Sequence, residues 1–161
     1  MSEDEVKLLV VGWHARKTEI AQDQFFGLLC NWICINAWLR YSCTLDNPTD
    51  AQMIKWLNND APVQLDIIEA YERCSNQLEF RRNVAQFASM GPISDSHGHR
   101  PAITVENNRQ SILNAIYRVR CNLFHGGKTM TVARDRDLVM FADKLLDKWI
   151  EHLVNIWQSK R

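Results

Sequence analysis

Residues 18–42, which read TEIAQDQFFGLLCNWICINAWLRYS, contain the longest apolar pattern of the chain. Apolar side chains recur there at spacings of three and four, as they do along one face of an α-helix. The stretch has one glycine and no proline, so it predicts a long helix in the core of the protein. Its stripe consists of Phe25, Leu28, Leu29, Trp32, Ile35, Asn36 and Leu39. Asn36 is the polar member, and because a buried amide needs hydrogen-bond partners, we expect it to bond a neighbouring helix.

Further stretches predict helices of their own. Asp-Asn-Pro-Thr at 46–49 combines a capping side chain with proline, which is typical of a helix start, so a short helix should run to about residue 58. Helical spacing also predicts a region over 63–90, bent near Ser75, and helices over 105–124 and 135–159. No stretch predicts a strand or an internal repeat. The expected fold is all-α, a bundle of four or five helices forming a single domain over 1–161.

Composition limits the classes of function. The chain has 161 residues, 46% of them hydrophobic, and 19 Lys and Arg residues balance 19 Asp and Glu residues. A general nucleic-acid binder is usually basic, so RNA binding here would need a local basic patch. The acidic start is unlike a secretory signal, and no window of about 18 uncharged apolar residues occurs. We therefore expect a cytoplasmic protein with no membrane partner.

The candidate metal ligands form no convincing site. The five cysteines are odd in number and lack a CxxC motif, which favours reduced thiols. Cys30 and Cys34 lie one helical turn apart, a spacing more typical of small core residues than of metal ligands. His97 and His99 belong to the glycine- and proline-containing stretch 91–103, which predicts a solvated loop. A zinc site needs further ligands, and none is evident nearby.

Residues 117–128, YRVRCNLFHGGK, carry the residue types of RNA chemistry. Arg118, Asn122 and His125 are spaced four and three, so they share a face of a regular helix. Arg120 and His125 converge only if the helix loosens before the two glycines. An arginine fork matches phosphate oxygens, and histidine can move a proton near neutral pH. Arginine and histidine near a helix end are also common for a structural reason, because their charge suits the C-terminal dipole.

This stretch resembles the HEPN superfamily, whose hallmark is Arg-x4-6-His, often with a polar residue directly after the arginine. The matching run is Arg120 to His125. The helix containing WICINAWL at 32–39 is similar to the first core helix of that group, and the helix from Asp135 fits its last. The flanks are similar as well: Tyr117, Val119, Leu123, Phe124, Gly126, Gly127 and Lys128.

The resemblance implies a HEPN-like bundle and a metal-independent endoribonuclease that needs no cofactor, often a toxin or an antiviral effector. His125 would be the general acid or base, Arg120 would bind the scissile phosphate, and Asn122 would orient the imidazole or the substrate. Arg118 and Lys128 would contact RNA. The implied partners are RNA, a second copy of the chain joined through the motif face, and an antitoxin or other regulatory protein.

Two departures from the family pattern leave an alternative open. Cys121 stands where the family commonly has a polar residue, although Asn122 one step later can take that role. Gly127 stands where one branch carries a tyrosine that a partner nucleotidyltransferase modifies, so that control is not expected. The alternative is a catalytically silent HEPN-like module that binds a nucleotide or a partner protein.

Overall fold

The computed structural model of the protein describes residues 2–20, 24–124 and 132–160. Within these ranges the regular structure is helical, which confirms the all-α prediction, and seven helices are described where four or five were expected. The helices are α1 (Glu3–Ile20), α2 (Gln24–Ser42), α3 (Asp50–Asn59), α4 (Asp66–Ser75), α5 (Leu78–Ser89), α6 (Arg109–Phe124) and α7 (Ala133–Ser159).

Two helices are additional to the five predicted segments: α1 was not predicted, and one predicted segment is divided in two. Region 63–90 divides into α4 and α5 at Asn76, close to the predicted bend. Of the predicted helix over 18–42, residues 18–20 belong to the end of α1, and α2 covers the stretch from Gln24 onwards. The start of α3 also differs in detail, since its cap is Thr49, after the proline. The Thr49 hydroxyl accepts from the backbone N–H of Gln52, whose side chain accepts in turn from the Thr49 N–H, which is a capping box.

The core forms around α7, which packs against α2, α4, α5 and α6, while α1 packs mainly on α2. α7 has apolar residues at helical spacing, and Trp149, Ile150 and Leu153 are almost fully buried. Buried indole N–H groups need acceptors, and the Trp149 Nε1 donates to the Ile67 carbonyl at 2.7 Å. α4 is thereby held to the middle of α7.

The segment between α5 and α6 is the predicted loop, and backbone hydrogen bonds join residues near its two ends. Ile93 and Ile103 form one antiparallel bridge, with two N–H···O bonds of 2.8 and 3.0 Å. Ile93 is fully buried, whereas His97 and His99 are exposed, as expected for a solvated loop. None of the seven described helices combines the length and apolar character that crossing a lipid bilayer requires.

Candidate functional site

The described part of the motif is the last two turns of α6. His125 and Lys128 lie outside the described residues, as do the two glycines between them. The predicted roles of this histidine and lysine therefore stay predictions. The described neighbours Arg118, Arg120 and Asn122 have sharply different surroundings.

Arg120 lies between two aromatic rings at the end of α6. The carbon of its guanidinium lies 4.6 Å from the ring centroid of Phe124 and 5.5 Å from that of Trp32. Its side chain keeps 26% of its surface exposed. Aromatic faces attract a cation and fix the plane of the guanidinium without using its N–H donors. Arg120 is thus oriented, partly accessible, and still able to donate hydrogen bonds.

A carboxylate from another helix also lies near the Arg120 guanidinium. Asp50 Oδ2, in the first turn of α3, lies 3.7 Å from Arg120 Nη2. This separation is an ion pair longer than an N–H···O hydrogen bond, so it leaves the guanidinium donors unsaturated. Asp50 Oδ1 accepts from Asn36 Nδ2 at 2.8 Å and lies 3.9 Å from Arg40 Nη2. The predicted bond from Asn36 to a neighbouring helix is therefore confirmed.

We call this group the Arg120 cluster. Its residues come from one stripe of α2, the first turn of α3 and the end of α6. The charged residues among them are two arginines and one aspartate. The members are Trp32, Asn36, Arg40, Asp50, Arg120 and Phe124. The excess positive charge and the partial exposure suit an anionic ligand such as a phosphate.

Arg118 and Asn122 instead hold the loop between α5 and α6. Arg118 is 7% exposed, and its Nη1 donates to the Pro101 carbonyl at 3.2 Å. Asn122 is fully buried, with Nδ2 donating to the Ser94 carbonyl at 2.7 Å and Oδ1 accepting from the Ser96 N–H at 3.0 Å. In this arrangement both polar atoms of the amide are already bonded, and the Arg118 guanidinium faces the loop.

The helix turn before Arg120 adds a ring stack that positions it. Tyr117 stacks on Trp32, with ring centroids 5.6 Å apart and planes at 29°. Burial raises the pKa of Tyr117 to about 12, with a smaller contribution from a hydrogen bond to Cys121, so the phenol stays neutral at physiological pH. Tyr117 therefore supports the ring on which Arg120 lies and carries no charge into the site.

The described residues offer no cluster of three or more His, Cys, Asp or Glu side chains that could hold a metal ion. All five cysteines are free. Burial raises the pKa of Cys34 to about 12, with a smaller effect from Cys30, so Cys34 stays a thiol. Its sulfur contacts the Val10 carbonyl at 3.5 Å, which fits the predicted role of a small core residue.

Asp50, like Arg40, is a member of the site that the sequence did not reveal. It lies directly after a capping signal, where an acidic residue is ordinarily explained by the helix dipole. The sequence feature that pointed toward Asp50 was Asn36. This polar residue on the α2 stripe required a hydrogen-bond partner on another helix. The sequence could not identify that partner, because the contact depends on how α2 and α3 pack.

No model of a known protein family matches the chain, and neither the curated proteins nor the solved structures yield a match to it. The resemblance to the HEPN superfamily therefore stays a prediction from the motif and its flanking helices.

Proposed function

We propose that the protein is a HEPN-like, metal-independent endoribonuclease that acts on RNA at the end of α6. The observation that carries the proposal is the state of Arg120. Two aromatic rings and Asp50 fix its guanidinium, while about a quarter of the side chain is accessible to solvent. A preoriented and partly exposed cation suits a phosphate whose charge grows during reaction.

The proposed reaction uses the RNA's own hydroxyl as the nucleophile. The 2′-oxygen bonds to the adjacent phosphorus, and the bond from phosphorus to the 5′-oxygen breaks. A base takes the proton of the 2′-hydroxyl, and an acid gives a proton to the departing 5′-oxygen. His125 serves in this proton transfer, which typically accelerates a reaction about 10²- to 10⁴-fold. Arg120 stabilises the charge on the phosphoryl oxygens.

Two copies of the motif fit this chemistry better than one. A protomer carries one motif histidine, whereas the cleavage uses both a base and an acid, so a two-fold axis through the motif face would bring two imidazoles together. Phe124 is 49% exposed at this end of α6 and offers apolar surface for such a contact. The second copy would also double the local positive charge that a chain of zero net charge otherwise lacks.

The contacts with the loop distinguish the role proposed for Arg120 from the roles proposed for Arg118 and Asn122. Arg120 is the proposed phosphate ligand, as the family match implies. Asn122 and Arg118 fix the loop over 94–101 against α6, so their effect on substrate would act through the position of that loop. Lys128 remains a proposed RNA contact, and an antitoxin or another regulator remains a proposed partner.

The test compares wild-type protein with His125→Ala on labelled single-stranded RNAs in the presence of EDTA. We expect cleavage by the wild type, a loss of about 10²-fold or more in His125→Ala, and the same circular dichroism spectrum for both. Arg120→Ala should lose cleavage in parallel. Expression in a bacterial host should show growth arrest and RNA degradation for the wild type only. Cleavage that survives in His125→Ala would exclude the proposed mechanism.

A silent binding module is the second candidate, and the Asp50–Arg120 ion pair favours it. A carboxylate beside the motif arginine competes with phosphate for the same cation. Under this alternative the protein binds a nucleotide or a partner protein through Arg120 and cleaves no RNA. Binding that Arg120→Ala abolishes, together with intact RNA after long incubation, would identify the module.

A further inference from the structure

The outward face of α1 carries a protruding apolar side chain beside an unfilled depression. Leu8 is 67% exposed. Gly12 lies one turn further on, and a Cβ placed on it would meet no atom within 4 Å. This glycine lies in a shallow depression between Leu9, Trp13 and Arg16. α1 packs on α2 and α7, and Leu8 lies at the edge of the α7 contact, beside Val154 and Trp157, with most of its side chain exposed.

Charged residues of opposite sign flank the protruding Leu8 and the depression at Gly12. Glu5, Leu8, Gly12 and Arg16 are spaced three, four and four, so at 100° per residue they fall within a sector of about 80°. We call these four residues the α1 face. Glu5 belongs to the acidic first turn of the helix, and Arg16 lies near its other end. Both are exposed, and each lies one turn outside the central pair.

We propose that the α1 face binds the α1 face of a second copy of the chain, with the two helices antiparallel. A two-fold axis at the level of Val10 brings Leu8 over Gly12 of the partner subunit. The same axis places Glu5 level with Ala15 of the partner subunit, about 1.5 Å along the helix axis from Arg16 of the partner subunit, so the two charged side chains can reach each other. Each contact forms twice, because a two-fold interface repeats every pairing.

The self-complementary pattern is what identifies the occupant as another copy. Leu8 and the depression at Gly12 lie on the same helix. Glu5 precedes them and Arg16 follows them, which is the order that an antiparallel copy requires. This surface is formed by α1, whereas the motif is on α6, so the contact is distinct from the proposed motif-face dimer. One helix per subunit buries less than the roughly 800 Å² per partner of a standard interface, so we expect a weak and reversible contact.

Sedimentation equilibrium over a concentration series tests the contact. We expect the wild-type weight-average mass to rise with concentration, and Leu8→Glu to weaken this concentration-dependent association at least about tenfold. Leu78→Glu is the matched control, because Leu78 is 64% exposed at the start of α5 and should leave association unchanged. A wild-type mass that does not depend on concentration, or equal association of Leu8→Glu and wild type, would overturn the proposal.

A charge exchange tests the orientation of the helices. Arg16→Glu alone and Glu5→Arg alone each place like charges opposite one another, so both variants should associate poorly. An equimolar mixture of the two should associate again, because in the mixed dimer both pairs attract. Circular dichroism checks that each variant is folded. A mixture that stays as separate variants would exclude the antiparallel arrangement.

Discussion

Asp50 and Arg120 approach to 3.7 Å from different helices, at a point where the arginine also contacts two aromatic rings. The carboxylate keeps 19% of its side chain exposed, so solvent weakens the pair and its contribution to folding is small. Its larger effect is on the charge that Arg120 offers to an anion. Asp50 both orients the guanidinium and competes with phosphate for it.

We therefore expect Asp50→Asn to tighten RNA binding about fivefold, equivalent to about 1 kcal/mol between partly exposed charges. Fluorescence anisotropy with a labelled single-stranded RNA measures this, in a His125→Ala background that prevents cleavage. Asp60→Asn removes the same charge at the other end of α3, and should change affinity much less. Equal effects of the two variants would show that net charge, and not the contact with Arg120, governs binding.

Asn122→Ala should lower the free energy of unfolding by about 2–3 kcal/mol, because it leaves the Ser94 carbonyl and the Ser96 N–H without their partner. Urea denaturation measures the loss, and limited proteolysis should show faster cutting in the loop between α5 and α6. Asn155→Ala, at an exposed position of α7, should change stability by less than about 0.5 kcal/mol. Unchanged stability in Asn122→Ala would mean that the amide does not hold the loop.

The sequence predicted those parts of the fold in which periodicity alone decides the structure. The long stripes of α2 and α7 are regular enough to specify helices, and the bend near Ser75 follows from local residue types. The helix α1 was not predicted because few of its residues are buried: Val6 and Val10 face the core, whereas the apolar Leu8 and Val11 are exposed and a glycine follows. The role of Asp50 was not predicted because its contacts with Asn36 and Arg120 depend on how α2, α3 and α6 pack together.

Spacing within the motif gave a mixed result for a related reason. It grouped Arg118 with Asn122 on one face, and the structure does place both on the side of α6 that holds the loop. It could not predict that this face is buried. Whether a polar residue near a motif meets substrate or a neighbouring loop depends on the loop's path, which no local pattern in the sequence encodes.

A buried ion pair joins α1 to α7 and gives a prediction about pH. Lys17 Nζ lies 3.0 Å from Asp143 Oδ1, and this oxygen also accepts from Asn31 Nδ2 at 2.8 Å. Burial raises the pKa of Asp143 above its usual 3.8, and Lys17 is the main opposing influence. A raised carboxyl pKa means that the folded state holds the proton more tightly than the unfolded state. Asp143 therefore costs stability as pH rises through its folded-state pKa.

Lys17→Met should accordingly destabilise the protein by about 3–5 kcal/mol at pH 7, because it leaves a buried carboxylate without its cation. The loss should shrink at pH 5, since without the lysine the pKa of Asp143 rises further and the carboxyl takes up a proton. Urea denaturation at both pH values measures the difference. Lys144→Met, one residue along α7 and exposed, is the control and should show no such pH dependence. An equal loss at both pH values would contradict the assignment.

Two helical glycines offer a final comparison, because adding the same methyl group should have opposite effects. At Gly27 a Cβ would lie 2.8 Å from Asp143 Oδ2, a carboxylate that Lys17 and Asn31 hold in place. Gly27→Ala should therefore cost about 1–3 kcal/mol through overpacking. At Gly12 a Cβ meets nothing within 4 Å, so Gly12→Ala should stabilise the helix by about 0.5–1 kcal/mol.

Thermal melting of both variants in dilute solution, where association through α1 is weak, measures the two shifts against wild type. Gly27→Ala in an Asp143→Ala background should lose most of its penalty, because the clashing oxygen is then gone. That recovery separates a clash with the carboxylate from a general intolerance of side chains at position 27. A penalty in Gly27→Ala that persists without Asp143 would place the obstruction elsewhere in the packing of α2 on α7.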